Sequence, residues 1–144
     1  MARQAAFFDA RAADVARIIY ALHPDIIVPA IDPNGAASRA LGRIPIALWI
    51  SYFRRTAIIA HQAKPSVRVL AHIGGYGARD SALYAWAAAP ASPIDAIGFT
   101  LTPWLGGGAT LDARAHTLDT WLGTYPTPKD HWLLETGGLP MVHG

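Results

Sequence analysis

Apolar residues recur at helical spacing over the first 22 residues of the chain. Val15, Ile19 and Leu22 lie three or four positions apart, as on one face of an amphipathic helix, and the pattern predicts a helix over residues 5–22. The same spacing recurs over residues 45–63, where a proline takes the first helical position. The pattern therefore predicts two helices in the first 63 residues.

Short apolar runs follow the helices and predict four strands. These strands cover residues 25–31, 66–73, 94–101 and 131–135, and further helices are predicted over 81–89 and 111–125. Pro29 counts against a regular ladder in the first strand, because proline lacks a backbone N–H. Alternating helices and strands indicate parallel strands joined by crossover helices. The pattern thus predicts a single α/β domain over residues 1–144.

The loops that follow the strands are the longest ones, which is typical of (β/α) barrels and doubly wound sheets. No Gly-x-Gly-x-x-Gly motif or phosphate loop follows any of the strands. Nucleotide binding is therefore disfavoured, and the sequence predicts a partial (β/α) TIM-type barrel of about four parallel strands with crossover helices.

Composition excludes several classes of protein. A hydrophobic content of 52% excludes intrinsic disorder, and the scattered arginines with a net charge of +2 do not form the basic patch that nucleic acid needs. The absence of cysteine excludes disulfides and thiolate chemistry, and the six histidines share no metal-ligand spacing. No signal peptide is recognised, and the longest apolar run is about ten residues, too short to span a bilayer. The compartment is not predicted.

Side chains that could take part in catalysis or binding lie where the predicted strands end. Asp32 follows the first strand, and Glu135, the only glutamate of the chain, ends the fourth. The others at these ends are His72, Tyr76, Thr102 and Trp104. In a parallel barrel such positions converge on one mouth. Two carboxylates beside aromatic surfaces are the parts of a glycosidase active site, with Asn34 suited to sugar hydroxyls.

Three stretches, "IVPAIDPNG", "IDAIGFTLTPW" and "HWLLETGG", resemble the retaining glycoside hydrolases of clan A, with endo-β-1,4-galactanases closest in character. The resemblance implies a (β/α)8 barrel of which this chain covers helix three to strand seven. It also implies hydrolysis of a β-linked oligo- or polysaccharide without any cofactor, in a family that is often secreted. The implied nucleophile is Glu135 and the implied acid/base is Asp32; the implied substrate-binding residues are Asn34, His72, Tyr76, Thr102 and Trp104.

The resemblance is incomplete at the acid/base. Ile31-Asp32-Pro33 stands where the family has Asn-Glu-Pro, and isoleucine cannot bond a sugar hydroxyl. Aspartate is one methylene shorter than glutamate, and a displacement of about 1 Å costs on the order of 100-fold in rate. A non-catalytic carbohydrate-binding or structural remnant of such a barrel is therefore the alternative function. A barrel enzyme for a phosphorylated metabolite would need an anion site in "GGYG" or "GGGAT".

Structural roles compete with catalytic ones at the same residues. Glu135 can accept hydrogen bonds from the amides of Gly137 and Gly138, and Asp32 before Pro-Asn-Gly is a good turn former. His72 could be a core histidine whose ring nitrogens have hydrogen-bond partners, or it could be a substrate contact.

Four strands are half of a (β/α)8 barrel, which typically needs about 250 residues. The open edges predict a fragment of a longer chain, a homodimer that completes the barrel, or a compact open sheet. The helix over 45–63 carries a second apolar stripe at Leu48, Tyr52 and Ile59. This stripe predicts a cover from another part of a longer protein or from another copy of the chain.

Overall fold

Helices and strands alternate through the described residues of the computed structural model, which are 2–35, 42–102 and 107–136. The helices are α1 (Ala2–Leu22), α2 (Ile46–Ala63), α3 (Ala78–Ala88) and α4 (Gly107–Thr124). The strands are β1 (Ile26–Ile27), β2 (Arg68–Ile73), β3 (Ala96–Leu101) and β4 (Asp130–Thr136). The predicted alternation, and with it the α/β class, is confirmed.

The four strands form one sheet in the order β1-β2-β3-β4, and all neighbouring strands are parallel. Crossovers between adjacent parallel strands are right-handed in nearly all proteins, so the three consecutive crossovers place their helices on the same side of the sheet. Helix α2 contacts β2, helix α3 contacts both β2 and β3, and helix α4 contacts β3. The architecture is a half-barrel with helices between its strands.

The first strand is shorter than the sequence pattern predicts. Pairing with β2 is confined to Ile26 and Ile27, whereas residues 25–31 were expected to be extended. Pro29 explains the difference, because it has no N–H to donate to a ladder. Its carbonyl instead accepts a hydrogen bond from the Tyr52 hydroxyl at 3.2 Å. The chain after β1 therefore leaves the sheet and approaches the carboxyl end of β2.

Helix α1 covers the second apolar stripe of α2. The Phe8 ring of α1 lies 4.7 Å from the Trp49 ring and 4.9 Å from the Tyr52 ring, measured between centroids. Leu48 and Ile59 are partly buried against the same core. An earlier helix of the same chain thus covers the stripe at Tyr52, and a cover by a separate segment or a second copy stays a prediction for the rest of the stripe.

The two faces of the sheet have different chemistry. Side chains alternate along a strand, and those that join the main core on the helix side are Val69, Ala71, Ile73, Ile97 and Phe99. The opposite face, called here the inner face, carries Leu70 and His72 of β2 and Gly98 and Thr100 of β3. The buried polar residues of the strands, His72 and Thr100, therefore lie on the inner face, towards the carboxyl ends of β2 and β3.

Among the described residues no helix covers the inner face, and β1 and β4 each pair on one side only. Leu134 of β4 is 38% exposed and Ile31 after β1 is 64% exposed. Unpaired strand edges next to exposed apolar groups favour association with another chain.

We expect the chain in solution to have a mass near twice 15.4 kDa, with a second copy covering these edges. Light scattering behind a sizing column measures the mass directly. A concentration-independent mass of one chain would contradict the predicted homodimer.

Candidate active site

A continuous hydrogen-bond chain runs across the inner face from the end of β1 to the end of β4. The backbone N–H of Asp32 donates to His72 Nδ1 at 2.7 Å, and His72 Nε2 lies 2.9 Å from Thr100 Oγ1. The Thr100 hydroxyl in turn donates to Glu135 Oε2 at 3.0 Å. Three of the sequence-predicted residues, Asp32, His72 and Glu135, are thereby brought together.

The donor and the acceptor of every bond in this hydrogen-bond chain follow from its first bond, which the Asp32 amide donates. A backbone amide can only donate, so His72 Nδ1 must be an acceptor and the ring proton must reside on Nε2. The Nε2–H then donates to Thr100, and the single hydroxyl hydrogen of Thr100 is left for Glu135. His72 is therefore a neutral imidazole, and burial lowers its pKa although the Asp32 and Glu135 carboxylates oppose this.

The same tautomer excludes one kind of nucleophilic chemistry. A threonine hydroxyl is activated when the histidine nitrogen beside it accepts its proton. His72 Nε2 already carries a proton, because Nδ1 is occupied by the Asp32 amide. Thr100 and His72 are thus unsuited to act as a nucleophile and base pair.

A β-bulge in β4 brings Glu135 to the inner face. Phe99 pairs with Leu133 and Thr100 pairs with Glu135, so Leu134 is the extra residue. In a regular ladder Leu134 would face Thr100, and Glu135 would point to the helix side. Gly98 accommodates the extra residue, since a Cβ at that position would overlap the Leu134 side chain.

Glu135 borders a cavity of about 340 Å³. Its other lining residues are Val28, Ile31, His72 and Leu134. The cavity therefore combines one carboxylate and one neutral imidazole with an otherwise apolar wall. It lies between the first and the last strand of the sheet, at their carboxyl ends.

Asp32 occupies a tight turn beside this cavity. Its backbone is in the left-handed region, with φ of 44°, which aspartate tolerates better than most residues. Its Oδ1 accepts a hydrogen bond from the Gly35 amide at 3.1 Å, as the turn-forming prediction implies. Its carboxyl group packs on Gly74, where a Cβ would lie 2.6 Å from Asp32 Cγ. The two glycines thus leave room for this carboxylate.

Asn34 is directed towards a buried carboxylate. Its Nδ2 donates to Asp80 Oδ1 at 3.2 Å. Asp80 is 4% exposed, and burial raises its pKa, with a further contribution from Asp32. Asp80 lies in the first turn of α3 and also contacts the "GGYG" loop, where a Cβ on Gly75 would be 2.8 Å from its Oδ2. A carboxylate at this helix start opposes the anion site that a phosphorylated substrate would need.

Tyr76 and Thr102 are tied to neighbouring elements. The Tyr76 hydroxyl donates to the Thr100 carbonyl at 2.9 Å, and burial raises its pKa to about 12. Its ring stacks on Trp121 at 5.7 Å. Arg114 donates to the Thr102 carbonyl at 3.2 Å. Tyr76 therefore supports the strand that carries Thr100, and its predicted sugar contact stays a prediction.

Some predicted site residues cannot be placed. Trp104 lies outside the described residues, and so do Gly137 and Gly138, the predicted partners of Glu135 in a turn. In the part of the chain that is described, the Glu135 carboxylate is bonded to Thr100.

Thr100 is the member of the hydrogen-bond chain that the sequence pattern missed. It is 6% exposed and lies within the third strand, two positions before the predicted Thr102. Period-two alternation puts both residues on one face, which is the available signal. The contact with His72 depends on strand register, which the pattern does not give.

Stability should decrease as the pH falls below about 6.5. Burial lowers the pKa of His72, and likewise that of His131, whose ring stacks on Tyr84. The unfolded chain then binds more protons than the folded chain below the ordinary histidine pKa of 6.5, so protonation favours unfolding. Urea unfolding at pH 7 and 5.5 measures the difference.

His131→Gln should reduce this pH dependence, because one of the two contributing groups is removed. The raised pKa of Asp80 acts in the opposite direction in the wild type and in His131→Gln alike, so it does not alter the comparison between them. Equal free energies of unfolding at the two pH values would contradict the prediction.

Neither a metal site nor a membrane-spanning helix is found in the described part of the chain. No group of three or more histidine, aspartate or glutamate side chains there could hold a metal ion. None of the helices described is both long and apolar enough to cross a membrane.

The comparisons with known proteins add no family to this geometry. No protein-family model matches the chain, and no curated protein has significant similarity to it.

Proposed function

We propose that the chain is a glycoside hydrolase-type domain, part of a (β/α)8 barrel of clan A type, that acts on β-linked polysaccharide with retention. Glu135 is the nucleophile and Asp32 is the acid/base. One observation carries the proposal: the hydrogen-bond chain that starts at the main-chain N–H of Asp32 and passes through His72 and Thr100 ends at the carboxylate of Glu135, which borders the cavity.

The chemistry proceeds in two displacements. A carboxylate oxygen of Glu135 forms a bond to the anomeric carbon while the glycosidic C–O bond breaks, and the Asp32 carboxylic acid protonates the departing oxygen. Asp32, now a carboxylate, takes a proton from water, whose oxygen attacks the anomeric carbon and releases Glu135. Each displacement inverts the anomeric centre, so the product keeps the β configuration.

The cavity suits one face of a sugar ring. Val28, Ile31 and Leu134 supply the apolar surface that the C–H groups of a pyranose favour, and Glu135 lies at its border. The neutral His72 ring adds no positive charge that would pair with the carboxylate of Glu135.

Asp32 makes acid catalysis the weaker half of the mechanism. Its carboxylate is short, is packed on Gly74 and accepts the Gly35 amide, so it reaches less far than a glutamate would. Substrates whose leaving group needs little protonation should therefore be hydrolysed best.

Aryl β-glycosides test this function directly, beginning with β-galactosides. Dinitrophenyl glycosides, which have an acidic leaving group, should be cleaved faster than nitrophenyl or alkyl glycosides. A 2-deoxy-2-fluoro-β-glycosyl fluoride slows the second displacement, and mass spectrometry should locate the trapped sugar on Glu135. Because Glu135 is the only glutamate of the chain, a sugar found attached to a glutamate must be attached to Glu135.

The outcomes separate the two candidate functions. A sugar trapped on Glu135 supports a retaining hydrolase. Saturable binding of β-linked oligosaccharides without turnover or trapping contradicts it and favours a non-catalytic carbohydrate-binding domain.

A further inference from the structure

We infer that Thr100 is a positioning residue that holds Oε2 of Glu135 and so leaves Oε1 as the attacking oxygen. The inference rests on the proposed function for the role of Glu135 as nucleophile. Its geometry comes from the hydrogen bonds on the inner face. The Thr100 hydroxyl donates to Oε2 at 3.0 Å, so Oε2 is held against strand β3 by a hydrogen bond. The second carboxylate oxygen is the one that can face a sugar in the cavity.

Thr100 is itself held at three points. The backbone is paired in β3 opposite Glu135, and its carbonyl accepts the Tyr76 hydroxyl at 2.9 Å. The side-chain oxygen accepts the His72 Nε2–H at 2.9 Å. With its only hydrogen directed at Glu135, the hydroxyl has one available orientation, and the position of Oε2 is restrained by it.

The order of the bonds connects the acid/base turn to the nucleophile. The left-handed conformation of Asp32 accompanies a backbone N–H directed at His72 Nδ1. This amide fixes the ring tautomer, the tautomer fixes the direction of the Thr100 hydroxyl, and the hydroxyl fixes Glu135. The residue proposed as acid/base thus orients the nucleophile through its main chain, separately from any action of its carboxylate.

Thr100→Val tests the positioning role, because valine keeps the shape of threonine and removes the hydroxyl. The rate of sugar trapping on Glu135 should fall roughly 10- to 100-fold, as for loss of a hydrogen bond to a charged group. The KM should change less than twofold, because the substrate is not contacted. Thr100→Ser should restore most of the rate, and Thr56→Val, at a buried threonine of α2, should leave it unchanged.

A spectroscopic readout does not depend on activity. Glutamate labelled with ¹³C at Cδ gives one side-chain resonance, since Glu135 is the only glutamate. Its chemical shift should change in Thr100→Val, return in Thr100→Ser and remain in Thr56→Val. Circular dichroism of each variant establishes that it is folded.

The two proposals fail in different ways. An unchanged Glu135 resonance in folded Thr100→Val overturns the positioning role, whether or not the chain hydrolyses sugars. Trapping at the wild-type rate in Thr100→Val overturns the positioning role and leaves the hydrolase intact. A wild type that never traps sugar, with a resonance that responds to Thr100→Val, overturns the hydrolase and retains the contact.

Discussion

Glu135→Gln should lower the hydrolysis of dinitrophenyl β-glycosides by roughly 1,000-fold or more, since loss of about 4 kcal/mol of transition-state stabilisation has that effect. Glutamine has the shape of glutamate, and its amide oxygen can still accept the Thr100 hydroxyl, so the fold and the hydrogen-bond chain are retained. What is lost is the negative charge and the nucleophilic oxygen. Steady-state kinetics and thermal unfolding measure the two effects separately.

Asp130→Asn is the matched control on the same strand. Asp130 lies at the opposite end of β4 and pairs with Arg68, an exposed ion pair that contributes little to stability. Its loss should change the hydrolysis rate less than twofold. Comparable activity in Glu135→Gln and wild type would remove Glu135 from the mechanism and, with it, the proposed retaining hydrolase.

Phe8→Ala should destabilise the fold by about 3–5 kcal/mol, the usual cost of deleting a buried aromatic ring. Phe8 is 4% exposed and contacts both Trp49 and Tyr52, so its removal opens a cavity between α1 and α2. Such a loss is a large part of the 5–15 kcal/mol by which typical domains are stable. Urea unfolding followed by tryptophan fluorescence reports it.

Phe7→Ala is the control for the same helix. Phe7 is adjacent in sequence and 43% exposed, so its truncation should cost much less than that of Phe8. If both variants unfold at the same urea concentration, α1 does not cover α2 in solution as described.

Periodicity predicted the elements well, because helices and strands leave strong signals in apolar spacing. The helix predicted over 45–63 is observed at Ile46–Ala63, and the strand predicted over 94–101 at Ala96–Leu101. The first strand was overestimated because an apolar run does not reveal how many residues find a partner, and Pro29 limits the pairing. The α/β class depended on the order of the elements and was therefore predictable.

The candidate site was predictable only where it depends on strand ends. His72 and Glu135 were found because each lies at or next to the end of an apolar run. Thr100 was missed because its role arises from the register between β2, β3 and β4. The bulge at Leu134 was also missed, since a single extra residue changes neither composition nor spacing enough to be recognised. Cross-strand geometry, in each instance, is a property of the folded sheet.

The order β1-β2-β3-β4 has a consequence for how the domain folds. Strands that are neighbours in the sheet are neighbours in the chain, so most strand pairing joins segments of modest sequence separation, which favours rapid folding. During synthesis each helix and strand can be added to a sheet that already exists. The hydrogen-bond chain, however, spans residues 32 to 135 and is completed only when β4 is added. Glu135, the proposed nucleophile, would thus be oriented last, after the remainder of the sheet has assembled.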